Sequence, residues 1–143
     1  MPVTSPSPDA HTHGPANRED PLVLIVDDNE KNRKLARDLL RAAGFRTLEA
    51  GTGGEGIAIA REHLPDVILM DLQLPDMNGT DAVRSLRDGA RTAQLPVLVL
   101  SAHRLESDSD WFLEAGFAGY IEKPIDVSGF ADQVRRYCGE PRG

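Results

Sequence analysis

The chain has 143 residues, 40% hydrophobic and 27% charged, which fits one globular domain with a single substantial core. Its 16 Lys and Arg against 23 Asp and Glu leave a formal charge of −7, a balance that argues against direct nucleic-acid binding, where a basic face is usual. One cysteine, Cys138, has no internal partner and suits a reducing compartment; with no signal-peptide pattern and no apolar run near the ~20 residues that span a bilayer, a cytoplasmic location is expected.

In chain order, residues 1–20 read as a flexible tail, with Pro2, Pro6, Pro8 and Pro15 among Ser, Thr, Asp and His and almost nothing to bury. His11 and His13 form an HxH pair, too small a donor set to be a metal site alone. Residues 21–139 then alternate strand and helix, and residues 140–143 are a short tail with no room for an output domain. The apolar run Leu22 to Val26 predicts a strand ending at Asp27. Glu30 to Ala43 predicts a helix, with Leu35, Ala36, Leu39, Leu40 and Ala43 on one face and Gly44 as its stop. Arg46 to Ala50 is a second strand, leading through Gly51-Thr52-Gly53 into a helix from about Gly54 to His63, with Pro65 beyond its end.

The third strand is Val67 to Asp71. A loop with Pro75, Asn78 and Gly79 follows, and Thr80 is the expected cap of a helix running to about Arg87. Val97 to Ser101 is the fourth strand. A helix from about Ser107 to Ala115 is stopped by Gly116, Gly119 to Glu122 forms the fifth strand, and Asp126 to Tyr137 the last helix. Strands joined by single helices predict a parallel sheet with right-handed crossovers. The continuously apolar third and fourth strands require cover on both faces, so the fold class is α/β, a single-domain (βα)5 sandwich of three layers.

Asp27, Asp28, Asp71, Ser101 and Lys123 all fall at strand ends, the edge where open α/β sheets bind ligands. Adjacent carboxylates there are costly unless a cation lies between them, and their hard oxygens suit Mg²⁺. Asp71 is the natural nucleophile, since a carboxylate can form an aspartyl-phosphate directly. Lys123 can pair with a phosphoryl oxygen as a point charge, Ser101 can donate to another, and the backbone N–H groups of Leu72 and Ala102 can take the rest. Singly these residues have ordinary uses: Asp28 as a cap of the first helix, Lys123 as a solvated charge. Five of them on one sheet edge form a coherent phosphoryl-transfer site.

The runs Val26-Asp27-Asp28-Asn29, Met70-Asp71-Leu72-Gln73-Leu74-Pro75-Asp76-Met77-Asn78-Gly79, Leu100-Ser101-Ala102 and Gly119-Tyr120-Ile121-Glu122-Lys123-Pro124 resemble the receiver domain of two-component response regulators. The resemblance covers Pro21 to about Cys138 and holds in order and spacing. Asp27-Asp28-Asn29-Glu30-Lys31-Asn32-Arg33 and Lys123-Pro124-Ile125-Asp126 look most like stand-alone cell-cycle regulators and the receivers of hybrid kinases. The resemblance implies a flavodoxin-like, parallel five-stranded sheet of order 2-1-3-4-5. It also implies that Asp71 accepts phosphate from a phosphohistidine of a histidine kinase or phosphotransfer protein. Asp28, Asp71 and the Gln73 carbonyl would hold Mg²⁺, with Asp27 acting through water. Ser101 and Lys123 would contact the phosphoryl group, and Tyr120 would be the aromatic switch that turns inward when Ser101 moves.

The implied output is docking to a downstream protein, with no direct nucleic acid, no membrane insertion and a monomer or weak dimer. A relay intermediate or phosphate sink is the alternative, and no catalysis is implied beyond the protein's own phosphorylation and dephosphorylation. Ser101 departs from the commoner Thr, keeping the hydroxyl without its methyl, and Gln73 and His103 occupy positions that tune dephosphorylation in relatives. Trp111 sits among Asp108, Ser109, Asp110 and Glu114 and reads either as a partner anchor or as packing. Three other classes fit less well. An aspartate-nucleophile phosphatase needs Asp-x-Asp where this chain has Asp27 and Asn29, a flavin module needs a phosphate-cradling loop where Asp27 and Asp28 repel one, and a pseudo-receiver would not need the intact acidic pocket.

Overall fold

The computed structural model describes residues 20–101 and 111–138. The expectations for residues 1–19, for Ala102, His103 and the helix start at Ser107, for the Trp111 side chain and for the tail after Cys138 lie outside the described residues. Among the described residues ten elements alternate: β1 (Leu22–Val26), α1 (Glu30–Ala42), β2 (Arg46–Ala50), α2 (Gly53–His63), β3 (Val67–Asp71), α3 (Gly79–Arg87), β4 (Val97–Ser101), α4 (Trp111–Ala115), β5 (Gly119–Glu122) and α5 (Phe130–Arg135). All five strands are parallel, in the order β2-β1-β3-β4-β5. The order reverses between β1 and β3, so their carboxyl ends open a crevice at the switch point.

Each buried strand divides its side chains between two cores, as the two-residue period demands. Leu24, Val26, Ile68, Met70, Val97 and Val99 face α2 and α3, while Val23, Ile25, Val67, Leu69, Leu98 and Leu100 face α1 and α5. The continuous apolar runs are therefore two interleaved core faces. α2 lies close enough to β1 that a Cβ on Gly56 would sit 2.7 Å from Val26 Cγ2. Gly56→Ala is expected to cost about 1–3 kcal/mol by overpacking, although alanine is the better helix former by ~1 kcal/mol. Urea denaturation checks this, and an unchanged or raised midpoint would refute the close approach.

Three element expectations are corrected. Leu35 is 38% exposed: Ala36, Leu39, Leu40 and Ala43 set the buried arc of α1, and Leu35 falls at its edge. Asn78, not Thr80, occupies the N-cap position of α3, and Thr80 lies inside its first turn. The last helix is shorter at both ends. Asp126 accepts hydrogen bonds from the Ser128 N–H (3.2 Å) and hydroxyl (3.0 Å), and its carbonyl accepts from Gly129 and Phe130. A side chain that captures nearby amides holds residues 126–129 in turns. At the other end, Tyr137 and Cys138 donate three residues back, to Val134 and Arg135, which tightens the helix into a turn.

Candidate functional site

β1 delivers Asp27 just past its last residue, held by the sheet bond from its N–H to the Ala50 carbonyl (3.1 Å). Asp27 is buried, at 1% exposure. Its Oδ1 accepts from the Asn29 N–H at 2.9 Å, and its Oδ2 faces Lys123 Nζ at 3.1 Å. Asn29 caps α1 by accepting from the Asn32 N–H at 3.0 Å, so the ordinary use of Asp28 as a helix cap is taken by its neighbour. That leaves the Asp28 side chain exposed at the mouth of the crevice.

Asp71, the last residue of β3, presents Oδ2 to Lys123 Nζ at 3.3 Å and Oδ1 to the Gln73 N–H at 3.4 Å. Burial pushes the Asp71 carboxyl above the usual carboxylate range and Asp27 adds to that, while Lys123 and the Gln73 amide pull against it. Carboxylate oxygens of Asp27, Asp28 and Asp71 lie within 4.8 Å of one another. Ser101 ends β4, buried at 3% exposure, and its carbonyl accepts from the Lys123 N–H at 2.7 Å. An open cleft of 440 Å³ is lined by Asp28, Asn29, Asn32, Asp71, Gln73, Ser101 and Lys123 among others. All five strand-end residues singled out in the sequence thus meet in one place.

The donor set suits a hard divalent cation. It offers three carboxylates, and Asp27 Oδ2 is buried without an aligned hydrogen bond although the Lys123 ammonium stands beside it. A small cation with its waters could satisfy such an oxygen. The loop after β3 is closed by Leu74 N–H to Met77 O (3.1 Å) and Gly79 N–H to Leu72 O (2.7 Å), neither of which uses the Gln73 carbonyl. Leu72 departs from expectation: its N–H donates to the Leu100 carbonyl at 3.2 Å, extending the β3–β4 ladder. The amide turned toward Asp71 is that of Gln73.

Tyr120, half-buried on β5, packs on the α2–α3 core and meets the Phe112 ring edge-on at 5.6 Å between centroids. The side chain expected to be the switch therefore touches α4.

Sequence reasoning missed several residues that shape this site. Asp76 accepts from the Gly53 and Gly54 N–H groups at 2.8 and 2.9 Å, so the loop after β3 is pinned to the start of α2. These bonds hold the Asp76 carboxyl below the usual range. Gly53 makes room for Met77, whose Cγ would lie 2.5 Å from a Cβ there, and Gly79 lets the chain pass close to β3, since a Cβ there would stand 2.6 Å from the Asp71 carbonyl oxygen. The Asn78-Gly79 pair was a readable signal of a tight passage, whereas the clasp of Asp76 on α2 joins segments far apart in sequence and left no local trace.

Comparison with known proteins agrees with this geometry. Residues 23–135 match the family model of the response regulator receiver domain. The chain is 40% identical over 118 residues to the polar-differentiation response regulator DivK of Brucella ovis, covering 82% of this chain and 96% of that protein. Among solved structures, the chemotaxis response regulator CheY4 of Vibrio cholerae superposes with a TM-score of 0.77 at 26% identity, covering 82% of this chain and 98% of that one. The receiver domain of the sensor histidine kinase PA1611 of Pseudomonas aeruginosa, solved with a magnesium ion coordinated in its active site cleft, gives 0.76 at 29% identity, covering 85% and 99%.

Proposed function

Because the chain belongs to the response regulator receiver domain family, we propose that it takes a phosphoryl group from a histidine kinase or phosphotransfer protein onto Asp71 and passes the signal on by docking to a protein target. The observation that carries this is the Asp71 carboxylate at the end of the central strand, 3.3 Å from the Lys123 ammonium and grouped with two further carboxylates. The reading makes the protein a regulator that serves its own phosphorylation and no other chemistry, working in the cytoplasm. Among the described residues no helix is long and apolar enough to cross a membrane. The direct test is labelling by a small phosphodonor with Mg²⁺, read by intact mass.

Asp27, Asp28 and Asp71, with the Gln73 carbonyl, would hold Mg²⁺, which supplies charge neutralisation for an incoming phosphoryl dianion. The magnesium ion in the PA1611 receiver is in keeping with this. A cation that binds only the folded state stabilises it, by about 2–3 kcal/mol at about a hundredfold its dissociation constant. Asp28→Ala is expected to lose most of that gain in thermal melts with and without Mg²⁺. If the parent melts identically in both, the cluster is no metal site.

For output, a phosphoryl oxygen on Asp71 would draw the Ser101 hydroxyl, shift the end of β4 and open space that Tyr120 can fill, a two-state element biased by one modification. The surface this would reshape is built by α4, β5 and α5, where Leu113 is 53% exposed. Backbone NMR with the phosphoryl mimic beryllofluoride is expected to show changes reaching Tyr120 and α5, and Ser101→Ala to weaken them while Asp71 remains modifiable. Changes confined to the loops beside Asp71 would favour a relay or phosphate-sink role.

A further inference from the structure

The geometry points to Arg33 as a positioning residue of the acidic pocket, one that holds the Asp28 carboxylate in place for a divalent cation. This rests on the metal reading above. Asp28 has no side-chain hydrogen bond or ion pair among the described residues and is exposed, so its carboxylate is located by its backbone. The peptide that carries it is the one joining it to Asp27, and that carbonyl accepts from Arg33 Nη1 at 2.8 Å. A peptide is planar, so fixing the Asp27 carbonyl also fixes the plane from which the Asp28 Cα departs. The peptides on either side are held by the Asp27 N–H on the Ala50 carbonyl and the Asn29 N–H on Asp27 Oδ1, and Arg33 restrains the peptide between them.

Arg33 is itself held. It rises from the first turns of α1 behind the pocket, only 20% exposed, and its Nε meets Glu49 Oε1 at 3.3 Å. Glu49 also takes Arg37 Nη1 on its other oxygen, at 3.2 Å. A flexible side chain would gain no fixed aim from one contact, and a fork tied at both ends does.

Mg²⁺ titration of the full chain, by calorimetry and by the amide NMR shifts of Asp28 and Asn29, tests this. Arg33→Met is expected to weaken Mg²⁺ binding about tenfold, the low end of what loss of an outer-shell partner costs a metal site. Arg33→Lys is expected to recover part of the affinity, because an ammonium can still reach the Asp27 carbonyl. Glu49→Gln breaks the ion pair with β2 but leaves the carbonyl contact, and is expected to stay within about twofold of the parent. Parent-like affinity in both Arg33 variants overturns the proposal. So does equal weakening by Glu49→Gln and Arg33→Met, which would make the packing between α1 and β2 the cause. Should Arg33→Met fail to fold, Arg33→Lys against Glu49→Gln decides on the same measurement. A parent that binds no Mg²⁺ refutes the metal reading itself, and this role for Arg33 with it, whereas a parent that binds beside an indifferent Arg33→Met refutes Arg33 alone.

Discussion

Asp71→Asn is expected to take up no phosphoryl group and, in metal-free buffer near neutral pH, to melt higher than the parent. The first effect follows from losing the carboxylate at the end of the central strand, 3.3 Å from the Lys123 ammonium. The second follows from the direction of its titration. Burial and Asp27 raise the folded-state pKa of Asp71 above the ordinary carboxylate value, so the folded protein holds that proton more tightly than the unfolded chain does. The stability linked to this proton is fully present below about pH 4, where the carboxyl is protonated in both states. It is lost as pH rises through the folded pKa, and at neutral pH the ionised carboxylate is a net cost. Asparagine never bears that cost, so its advantage should shrink as pH falls toward about 4, and Mg²⁺ should narrow it near neutrality by stabilising the parent alone. Intact-mass labelling and melts across pH check both parts. Continued labelling of Asp71→Asn would move the acceptor elsewhere. A variant that melts below the parent at neutral pH would mean that the Lys123 pairing outweighs the burial of Asp71.

The sheet was legible because its signals are local. Val67 to Met70 and Val97 to Leu100 are apolar without interruption, and a strand with two buried faces leaves that mark and few others. The site was legible for a related reason: topology carries every strand's carboxyl end to one edge, so a residue's place in its own strand also gives its place in the cleft. Asp27, Asp71, Ser101 and Lys123 needed nothing more. What failed depended on competition for backbone amides. Thr80 and Asn78 are both fair caps, and Gly79 had to be where the chain passes the Asp71 carbonyl, which fixed the helix start one residue after Asn78. Leu72 was expected to offer a free N–H, but β3 and β4 stay paired long enough for Leu100 to claim it. The clasp of Asp76 on Gly53 and Gly54, and the reach of Arg33 to the Asp27 carbonyl, are choices among rotamers of exposed-looking polar residues. No periodicity announces them.

Lys123→Met should be the most destabilising single change at the site, and the one most dependent on metal. The Lys123 side chain crosses from β5 over the end of β4 to lie 3.1 Å from Asp27 and 3.3 Å from Asp71, with 16% of its surface exposed. Methionine keeps much of the stem's bulk and apolar character, so the lost quantity is chiefly the charge. Removing one member of a buried ionic group leaves the other uncompensated, at a cost of about 3 kcal/mol or more. Asp27 is the member that cannot escape: it is 1% exposed and its Oδ2 has no aligned hydrogen bond to fall back on. In metal-free urea titrations the variant should therefore unfold well before the parent. Mg²⁺ should return more stability to it than it gives the parent, since the cation then answers two carboxylates that have lost their ammonium. Adding Asp71→Asn should also recover part of the loss, because charges sharing one partner are coupled and their effects do not sum. Equal metal-free stability of Lys123→Met and the parent would mean water already solvates Asp27 and the ammonium is a bystander. A loss that neither Mg²⁺ nor Asp71→Asn relieves would place the cause in packing around the methionine, leaving the electrostatic account of the cleft without support.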